Sequence, residues 1–288
     1  LTALWDENWM KFMVDGAART HTGRVRSNNE DNFYLLGRYR EDVEKGEDEA
    51  VCRAADRRFL AAVADGMGGE EQGEMASLMA VKALKPCTFE EIKAEAVSAI
   101  DKANREICEE IEGRGGRRMG STLVSLYMDE GKAVCCNVGD SRAYLLREGK
   151  LSQLSVDHNK AGRMVELGVL TPEQAARHPS RHELTQHLGI FADEMVIEPA
   201  VSQTVELEDG DLFLLCSDGL TDMVSPKELK AVLSGRAASR EMAEKLVELA
   251  LAGGGRDNVT VIVLQIQEKK PVWQRLFGRT GSQEEENV

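Results

Sequence analysis

The stretch FLAAVADGMGG at residues 59–69 joins six apolar residues to one acidic residue and three glycines. An apolar run of this length, bounded by turn residues, is typical of one buried strand. Asp65 follows the run directly, and the glycines beside it let the backbone turn or approach a ligand closely. We therefore predict a buried strand that presents Asp65 at its end.

Acidic residues occupy similar positions elsewhere in the chain. Asp218 follows the run LFLLCS, and Asp257 lies between a glycine-rich turn and the alternating run NVTVIVLQIQ. Glu30 and Asp31 directly precede another predicted strand, and Asp140 lies in a turn between two strands. Each of these carboxylates is thus expected at the end of a strand.

The order of predicted elements indicates an α+β fold. Two amphipathic helices are predicted at 70–85 and 89–111, followed by a three-stranded meander at 121–151. Strands do not alternate strictly with helices, which disfavours a doubly wound parallel sheet and favours mixed or antiparallel sheets flanked by helix pairs. The charged segment at 37–57 lacks periodicity and is expected to be a surface insertion. The remaining predicted elements are a loosely helical region at 160–186, a buried strand at 211–216, helices at 226–233 and 240–251, and a last strand at 258–267.

The composition narrows the classes of function. A net charge of −14 disfavours nucleic acid as a partner, because binding to phosphate backbones depends on Lys and Arg. No apolar run approaches the roughly 18 residues that span a bilayer, so no integral membrane segment is expected. The six cysteines form no C-x-x-C pair, which argues against structural zinc and predicts reduced thiols in a cytoplasmic protein.

The chemistry of the acidic positions depends on whether they converge. Two carboxylates about 4 Å apart repel by roughly 4 kcal/mol at an effective dielectric of about 20. A convergent set must therefore take up protons or bind divalent cations, and an all-oxygen set suits Mg²⁺ or Mn²⁺. Two such ions would polarise a bridging water for attack at phosphorus. An acidic residue before glycine is also common in simple turns, so the pattern alone leaves both interpretations open.

The chain resembles the type 2C metal-dependent protein phosphatase family, bacterial type, in an ordered set of segments between about Ala18 and Ile266. Any one segment is weak evidence, whereas the complete order is specific. The matching segments are RSNNEDN (26–32), VADGMGG (63–69), GST (120–122), NVGDSR (137–142), DH (157–158), LT and LG (184–185 and 188–189), SDGL (217–220) and DNVT (257–260).

The resemblance implies a four-layer α/β/β/α sandwich of two mixed, mainly antiparallel sheets flanked by helix pairs. It places the catalytic domain at 17–268, with a flap at about 160–187 beside the active site. Residues 1–16 are then an N-terminal extension, and residues 269–288 are a C-terminal tail.

The resemblance also implies two to three Mn²⁺ or Mg²⁺ ions. Asp65 would bridge two ions, Asp218 and Asp257 would complete one of them, and Arg26 would clamp the substrate phosphate with its forked donors. Asp140 would hold a third ion together with Asp218, although a simple turn acid is the alternative for Asp140. The other implied metal-site residues are Glu30, the carbonyl of Gly66, and Asp31, which would support the site.

One departure from the family concerns proton transfer. Some members carry His directly after the Asp-Gly pair as a proposed general acid, whereas this chain has Met67. His158 is a candidate donor by residue type only, and a structural role is favoured for it. His178, His182 and His187 fall in the flap region and are expected to be solvated.

The implied activity is hydrolysis of phosphoserine and phosphothreonine in phosphoproteins by direct attack of a metal-bridging hydroxide. The enzyme is expected to be a cytoplasmic monomer that opposes Ser/Thr kinases and acts on the products of a cognate kinase. Two alternatives stay open: a regulatory phosphatase for a small anti-sigma-antagonist-like protein, and a catalytically inactive binding member.

Overall fold

A computed structural model describes residues 11–54, 58–68, 72–86, 88 and 90–269. Within these residues the chain forms fourteen strands and seven α-helices. The strands are β1 (Phe12–His21), β2 (Asp31–Leu35), β3 (Arg38–Tyr39), β4 (Glu47–Ala54), β5 (Arg58–Met67), β6 (Gly120–Ser121), β7 (Leu123–Asp129), β8 (Lys132–Val138), β9 (Arg142–Arg147), β10 (Lys150–Gln153), β11 (Ala200–Val201), β12 (Val205–Glu206), β13 (Leu212–Cys216) and β14 (Val259–Glu268).

The helices begin and end close to the predicted positions. At the start of the sixth helix, Ser225 and Glu228 form a reciprocal capping box with Pro226 at the first helical position, so this helix start has a strong local signal. Among the described helices, none combines the length and apolar character needed to cross a bilayer. The helices are α1 (Gly73–Lys82), α2 (Ile92–Gly113), α3 (Lys160–Glu166), α4 (Pro172–Ala175), α5 (Asp218–Thr221), α6 (Pro226–Leu233) and α7 (Ser239–Ala252), with a 3₁₀ turn at Pro179–His182.

Two sheets form the centre of the molecule. The first has the strand order β10-β9-β13-β14-β1-β4, and the second has the order β11-β8-β7-β5-β2-β3. Strand β12 also pairs with β8, and β6 pairs with β5. All recorded strand pairings between described residues are antiparallel, so the sheets are antiparallel and not mixed.

Strand β5 shows why the fold has four layers. Phe59, Ala61 and Val63 lie in the core between the two sheets. Their neighbours Leu60, Ala62 and Ala64 lie in a second core, beneath α1 and α2. Successive side chains of a strand point to opposite faces, so a strand buried on both faces needs a continuous apolar run.

The first sheet is covered in the same way on its outer face. Leu214 and Val263 of this sheet share a third core with Leu229 of α6 and Leu246 of α7. The predicted α/β/β/α sandwich is therefore confirmed, with one helix pair outside each sheet.

The structure differs from the sequence-based expectation at two places. The boundary expected at residue 16 lies inside β1, which pairs with β14 from Phe12 to His21. The segment at 37–57, predicted to be a surface insertion, contains β4, which pairs with β1 along one edge of the first sheet. An edge strand exposes most of its side chains, and only Ala50 of β4 is buried, so its sequence lacks the usual apolar alternation. Other expected features of residues 1–10, 55–57 and 270–288 lie outside the described residues.

Candidate metal centre

Asp31 and Asp65 lie opposite each other on neighbouring strands. They are direct partners in the antiparallel ladder of β2 and β5. The hydroxyl of Ser217 donates a hydrogen bond to Asp31 Oδ2 at 2.7 Å, and Ser217 precedes Asp218 at the end of β13. These contacts bring the ends of strands from both sheets to one edge of the sandwich.

Thr122 fixes the backbone of Asp65. The N–H of Asp65 donates to Thr122 Oγ1 at 3.0 Å, and the N–H of Thr122 donates to the carbonyl of Asp65 at 2.8 Å. The Thr122 hydroxyl also lies 2.7 Å from that of Ser141, next to Asp140. The segments GST and NVGDSR, matched in the sequence, thus form one hydrogen-bonded support for Asp65.

Asn258 joins the Glu30 loop to the segment that carries Asp257. Its side-chain oxygen accepts from the N–H of Glu30 at 2.8 Å, and its amide donates to the carbonyl of Asn28 at 2.8 Å. Arg26 Nη2 donates to Asp257 Oδ2 at 2.8 Å, and both side chains are partly exposed. Arg26 therefore stands at the solvent-facing rim of the acidic cluster.

Gly66 occupies a position that no other residue fits. A Cβ atom there would lie 2.0 Å from the carbonyl oxygen of Gly73 and 2.5 Å from that of Glu30. The N–H of Gly66 donates to the same Glu30 carbonyl at 3.2 Å. This close approach holds the backbone of Glu30 beside the last residues of β5, directly after Asp65.

The acidic residues raise one another's pKa. Burial raises the pKa of Asp65 well above its usual range, and the charges of Asp31, Asp218, Asp257 and Asp140 raise it further. Burial is likewise the main reason why the pKa values of Asp31 and Asp140 rise to about 7, and Asp218 contributes to both shifts. The predicted convergence of the strand-end carboxylates is therefore present.

The cluster fits divalent cations. Within the described residues, Asp31 Oδ1 is buried and has no hydrogen-bond partner. The converging groups are carboxylates, which are the ligands that Mg²⁺ and Mn²⁺ prefer, and cations would relieve the repulsion that raises their pKa values. Glu30 lies near this cluster: burial and the charge of Glu74 raise its pKa most, and the charge of Asp257 raises it as well.

Asp140 accepts a hydrogen bond from Asn159 Nδ2 at 3.3 Å and is buried. His158 is buried beside this turn, where its Nδ1 accepts from the N–H of Gly139 at 3.4 Å. Burial lowers the pKa of His158, which favours the neutral ring. These contacts support the structural role that was favoured for His158.

His182 reaches the acidic cluster, which the sequence did not predict. Its Nδ1 lies 3.6 Å from Asp218 Oδ2, and its Nε2 lies 3.4 Å from Asp222 Oδ2. The contact with Asp218 raises the pKa of His182. One atom from each of these three side chains lies within 4.8 Å of the others, close enough to share a cation. The i, i+4 spacing of Asp218 and Asp222 could have signalled their shared face, whereas the position of His182 depends on the folded flap.

Comparison with known proteins identifies the family. The family model described as Protein phosphatase 2C matches residues 40–251. The serine/threonine phosphatase stp of Listeria innocua is 34% identical over 259 residues, which cover 86% of this chain and 94% of that protein. The crystal structure of the Mycobacterium tuberculosis serine/threonine phosphatase PstP/Ppp is 34% identical with a TM-score of 0.74, and covers 89% of this chain and 100% of that one.

A further solved structure bears on the metals. It is the catalytic domain of the serine/threonine protein phosphatase PstP in complex with two manganese ions, 33% identical with a TM-score of 0.71, over 89% of this chain and 100% of that one. The resemblance found in the sequence motifs is confirmed, and the chain belongs to the protein phosphatase 2C family of serine/threonine protein phosphatases.

Proposed function

We propose that this chain hydrolyses phosphoserine and phosphothreonine in proteins with two to three Mn²⁺ or Mg²⁺ ions, within a catalytic domain that comprises the predicted span 17–268 together with the start of β1 from Phe12. The observation that carries the proposal is the pairing of Asp31 with Asp65 across β2 and β5, at the point where Ser217, next to Asp218, donates to Asp31. The proposed enzyme is a cytoplasmic monomer whose substrates are the products of a Ser/Thr kinase.

The proposed ligands divide into groups around Asp65. Asp218 and Asp257 would share one ion with Asp65, while the Gly66 carbonyl and Glu30 would hold the other. Asp140 would bind a third ion together with Asp218, and Asp31 would support the set. Two bound ions supply a water of lowered pKa and neutralise charge on the transferred phosphoryl group.

Arg26 is the proposed phosphate clamp. A guanidinium has five N–H donors in a planar fork, and the bond to Asp257 uses one of them. The remaining donors suit phosphate oxygens at the solvent-facing rim. Asp257 orients Arg26 and would also bind metal, so phosphate and metal would be held in a fixed relation.

Met67 has no proton to donate, so the leaving serine or threonine oxygen must be protonated from elsewhere. The occupied set of acidic ligand positions supports an active enzyme over the catalytically inactive alternative. The second alternative is an enzyme dedicated to a small anti-sigma-antagonist-like regulator. Comparing phosphate release from such a phosphorylated regulator with release from unrelated phosphopeptides separates the two.

The test is phosphate release from a phosphothreonine peptide at pH 7.5. We expect turnover with Mn²⁺ and none with excess EDTA, and restoration when Mn²⁺ is added back. Full turnover in EDTA would overturn the metal mechanism. Failure to release phosphate from peptides, from p-nitrophenyl phosphate and from phosphorylated regulators would support the inactive alternative.

A further inference from the structure

A pocket of about 280 Å³ lies beside Met67, outside the acidic cluster. Its inner surface is formed by Met67, Met119, Ile190 and the backbone of nearby glycines, and both Met119 and Ile190 are buried. Charged and polar groups lie at its rim. These rim residues are Arg118, His187 and Glu194.

The pocket lies next to the proposed active site along β5. Met67 is two residues beyond Asp65 in β5, and alternate side chains of a strand share a face. At the rise of an extended strand, their Cα atoms lie about 7 Å apart. Met67 also pairs with Gly120 of β6, another residue of the pocket wall. A peptide held at the acidic cluster would therefore pass the mouth of the pocket.

The wall opposite Met67 is tightly built. A Cβ atom at Gly120 would lie 2.5 Å from the carbonyl oxygen of Leu188, and one at Gly189 would lie 2.2 Å from that of Met119. Ser121 and Leu188 exchange two backbone hydrogen bonds of 3.2 and 2.8 Å across this contact. The glycines let these segments meet without filling the space between them, so the pocket is preformed.

The rim is also held in place. Arg118 donates to both carboxylate oxygens of Glu194 and lies over the ring of Phe191, with 4.8 Å between the guanidinium carbon and the ring centroid. Among the described residues of the rim, the charges of Arg118 and Glu194 are paired with each other. The pocket thus offers an apolar interior behind a neutralised polar rim.

We infer that this pocket binds one apolar side chain of the phosphoprotein substrate, within three residues of the phosphorylated Ser or Thr. This inference rests on the proposed function. An extended peptide advances about 3.3 Å per residue, so the separation between Asp65 and Met67 corresponds to two residues. The pocket is slightly smaller than typical small-molecule sites of about 300–1,000 Å³, and suits a single side chain. The flexible Met67 and Met119 side chains adapt to its shape.

The experiment uses phosphothreonine peptides in which one flanking position at a time, from three before to three after, is Ala, Leu or Asp. Phosphate release gives kcat/KM for each peptide. We expect one position at which Leu exceeds Ala by about tenfold, the scale of discrimination by an apolar pocket. At that position Asp should give no advantage over Ala.

Two variants place a larger side chain in the pocket wall, one at Met67 and one at Ile190. Ile190→Phe and Met67→Phe should each reduce the Leu-to-Ala ratio to about threefold or less, because the added ring occupies the space. Val196→Phe, at an exposed position outside the pocket, is the matched control and should keep the wild-type ratio. If thermal melting shows that Ile190→Phe is unfolded, the Leu-to-Ala ratio of Met67→Phe alone tests the pocket.

If the wild-type enzyme hydrolyses the peptides but its Leu-to-Ala ratio is close to one at every flanking position, the inferred binding of an apolar side chain is wrong. The proposed function is then unaffected. Absence of all peptide hydrolysis would overturn the proposed function itself. Inhibition by a synthetic peptide of residues 270–288 that is lost in Met67→Phe, together with a wild-type Leu-to-Ala ratio close to one at every flanking position, would assign the pocket to the chain's own tail and overturn binding of a substrate side chain.

Discussion

Asp31 and Asp65 are direct partners across the β2–β5 ladder, and Asp31 Oδ1 has no hydrogen-bond partner within the described residues. Directly opposed like charges destabilise an antiparallel pair. The pairing persists because strands buried on both faces fix its register. The fold therefore holds the carboxylates of Asp31 and Asp65 close enough to repel each other, and a cation bound there would relieve that repulsion.

The first prediction concerns the stability of the metal-free protein. Asp31 has a pKa of about 7 when folded and about 4 when unfolded. Such a carboxyl binds its proton more tightly in the folded state, so its stabilising contribution is complete below about pH 4 and is lost as pH rises through about 7. Asp31→Asn should therefore gain stability relative to wild type between pH 5 and pH 7.5, by about 2–3 kcal/mol.

The measurement is urea unfolding in EDTA at several pH values. Asn keeps an oxygen that can accept from Ser217, so the comparison isolates the titrating charge. Asp101→Asn, at an exposed position on α2, is the control, and its difference in unfolding free energy from wild type should not change with pH. A flat difference for Asp31→Asn would show that Asp31 titrates like an ordinary carboxyl.

The second prediction concerns Arg26. Arg26→Ala should raise KM for a phosphothreonine peptide about tenfold or more, because charge-assisted bonds to the phosphate are lost. The KM of Arg26→Lys should lie between the values of wild type and Arg26→Ala, since an ammonium keeps the charge without the bidentate fork. Steady-state kinetics at saturating Mn²⁺ measures both constants. An unchanged KM in Arg26→Ala would contradict the phosphate clamp.

The third prediction concerns Arg40, which is fully buried in the segment that the sequence suggested was a surface insertion. Its guanidinium donates to the carbonyl of Asn29 at 2.5 Å and to that of Lys45 at 2.8 Å. Arg40→Met would leave these carbonyls without their donor, at a cost of about 1–3 kcal/mol for each buried group. The free energy of unfolding should fall by about 2–4 kcal/mol.

Arg38→Met is the matched control, because Arg38 lies on the same hairpin and is exposed. Its free energy of unfolding should change by about 0.5 kcal/mol or less. Asn29 directly precedes Glu30, so Arg40→Met should also weaken Mn²⁺ activation. Equal stability of the two variants in urea unfolding would show that Arg40 does not hold this loop.

The sequence predicted those parts of the fold whose signals are local. The apolar run before Asp65 predicted β5 because both faces of that strand are buried, and the helix predicted at 226–233 begins as expected, at the cap that the structure shows between Ser225 and Glu228. Strand β4 was missed because an edge strand needs few apolar residues.

The acidic residues of the proposed site also have local sequence signals. Motif order located the carboxylates around Asp65, since each lies near the end of a strand or in the turn beside it, with its own sequence signal. His182 and Arg40 gave no such signal. The position of His182 depends on how the flap folds over Asp218, and Arg40 contacts the carbonyls of Val43 and Lys45 in the following turn and of Asn29 on the other side of β2. Contacts of this kind are formed by tertiary packing and cannot be read from spacing.

Calorimetric titration of the metal-free protein with Mn²⁺ at pH 7.5 tests the central claim most directly. Wild type should bind at least two ions, and Asp65→Asn should bind at least one fewer, or bind about a hundredfold more weakly, because Asp65 is the shared ligand. Asp101→Asn should bind like wild type. Unchanged stoichiometry and affinity in a folded Asp65→Asn variant would contradict a metal centre built around Asp65.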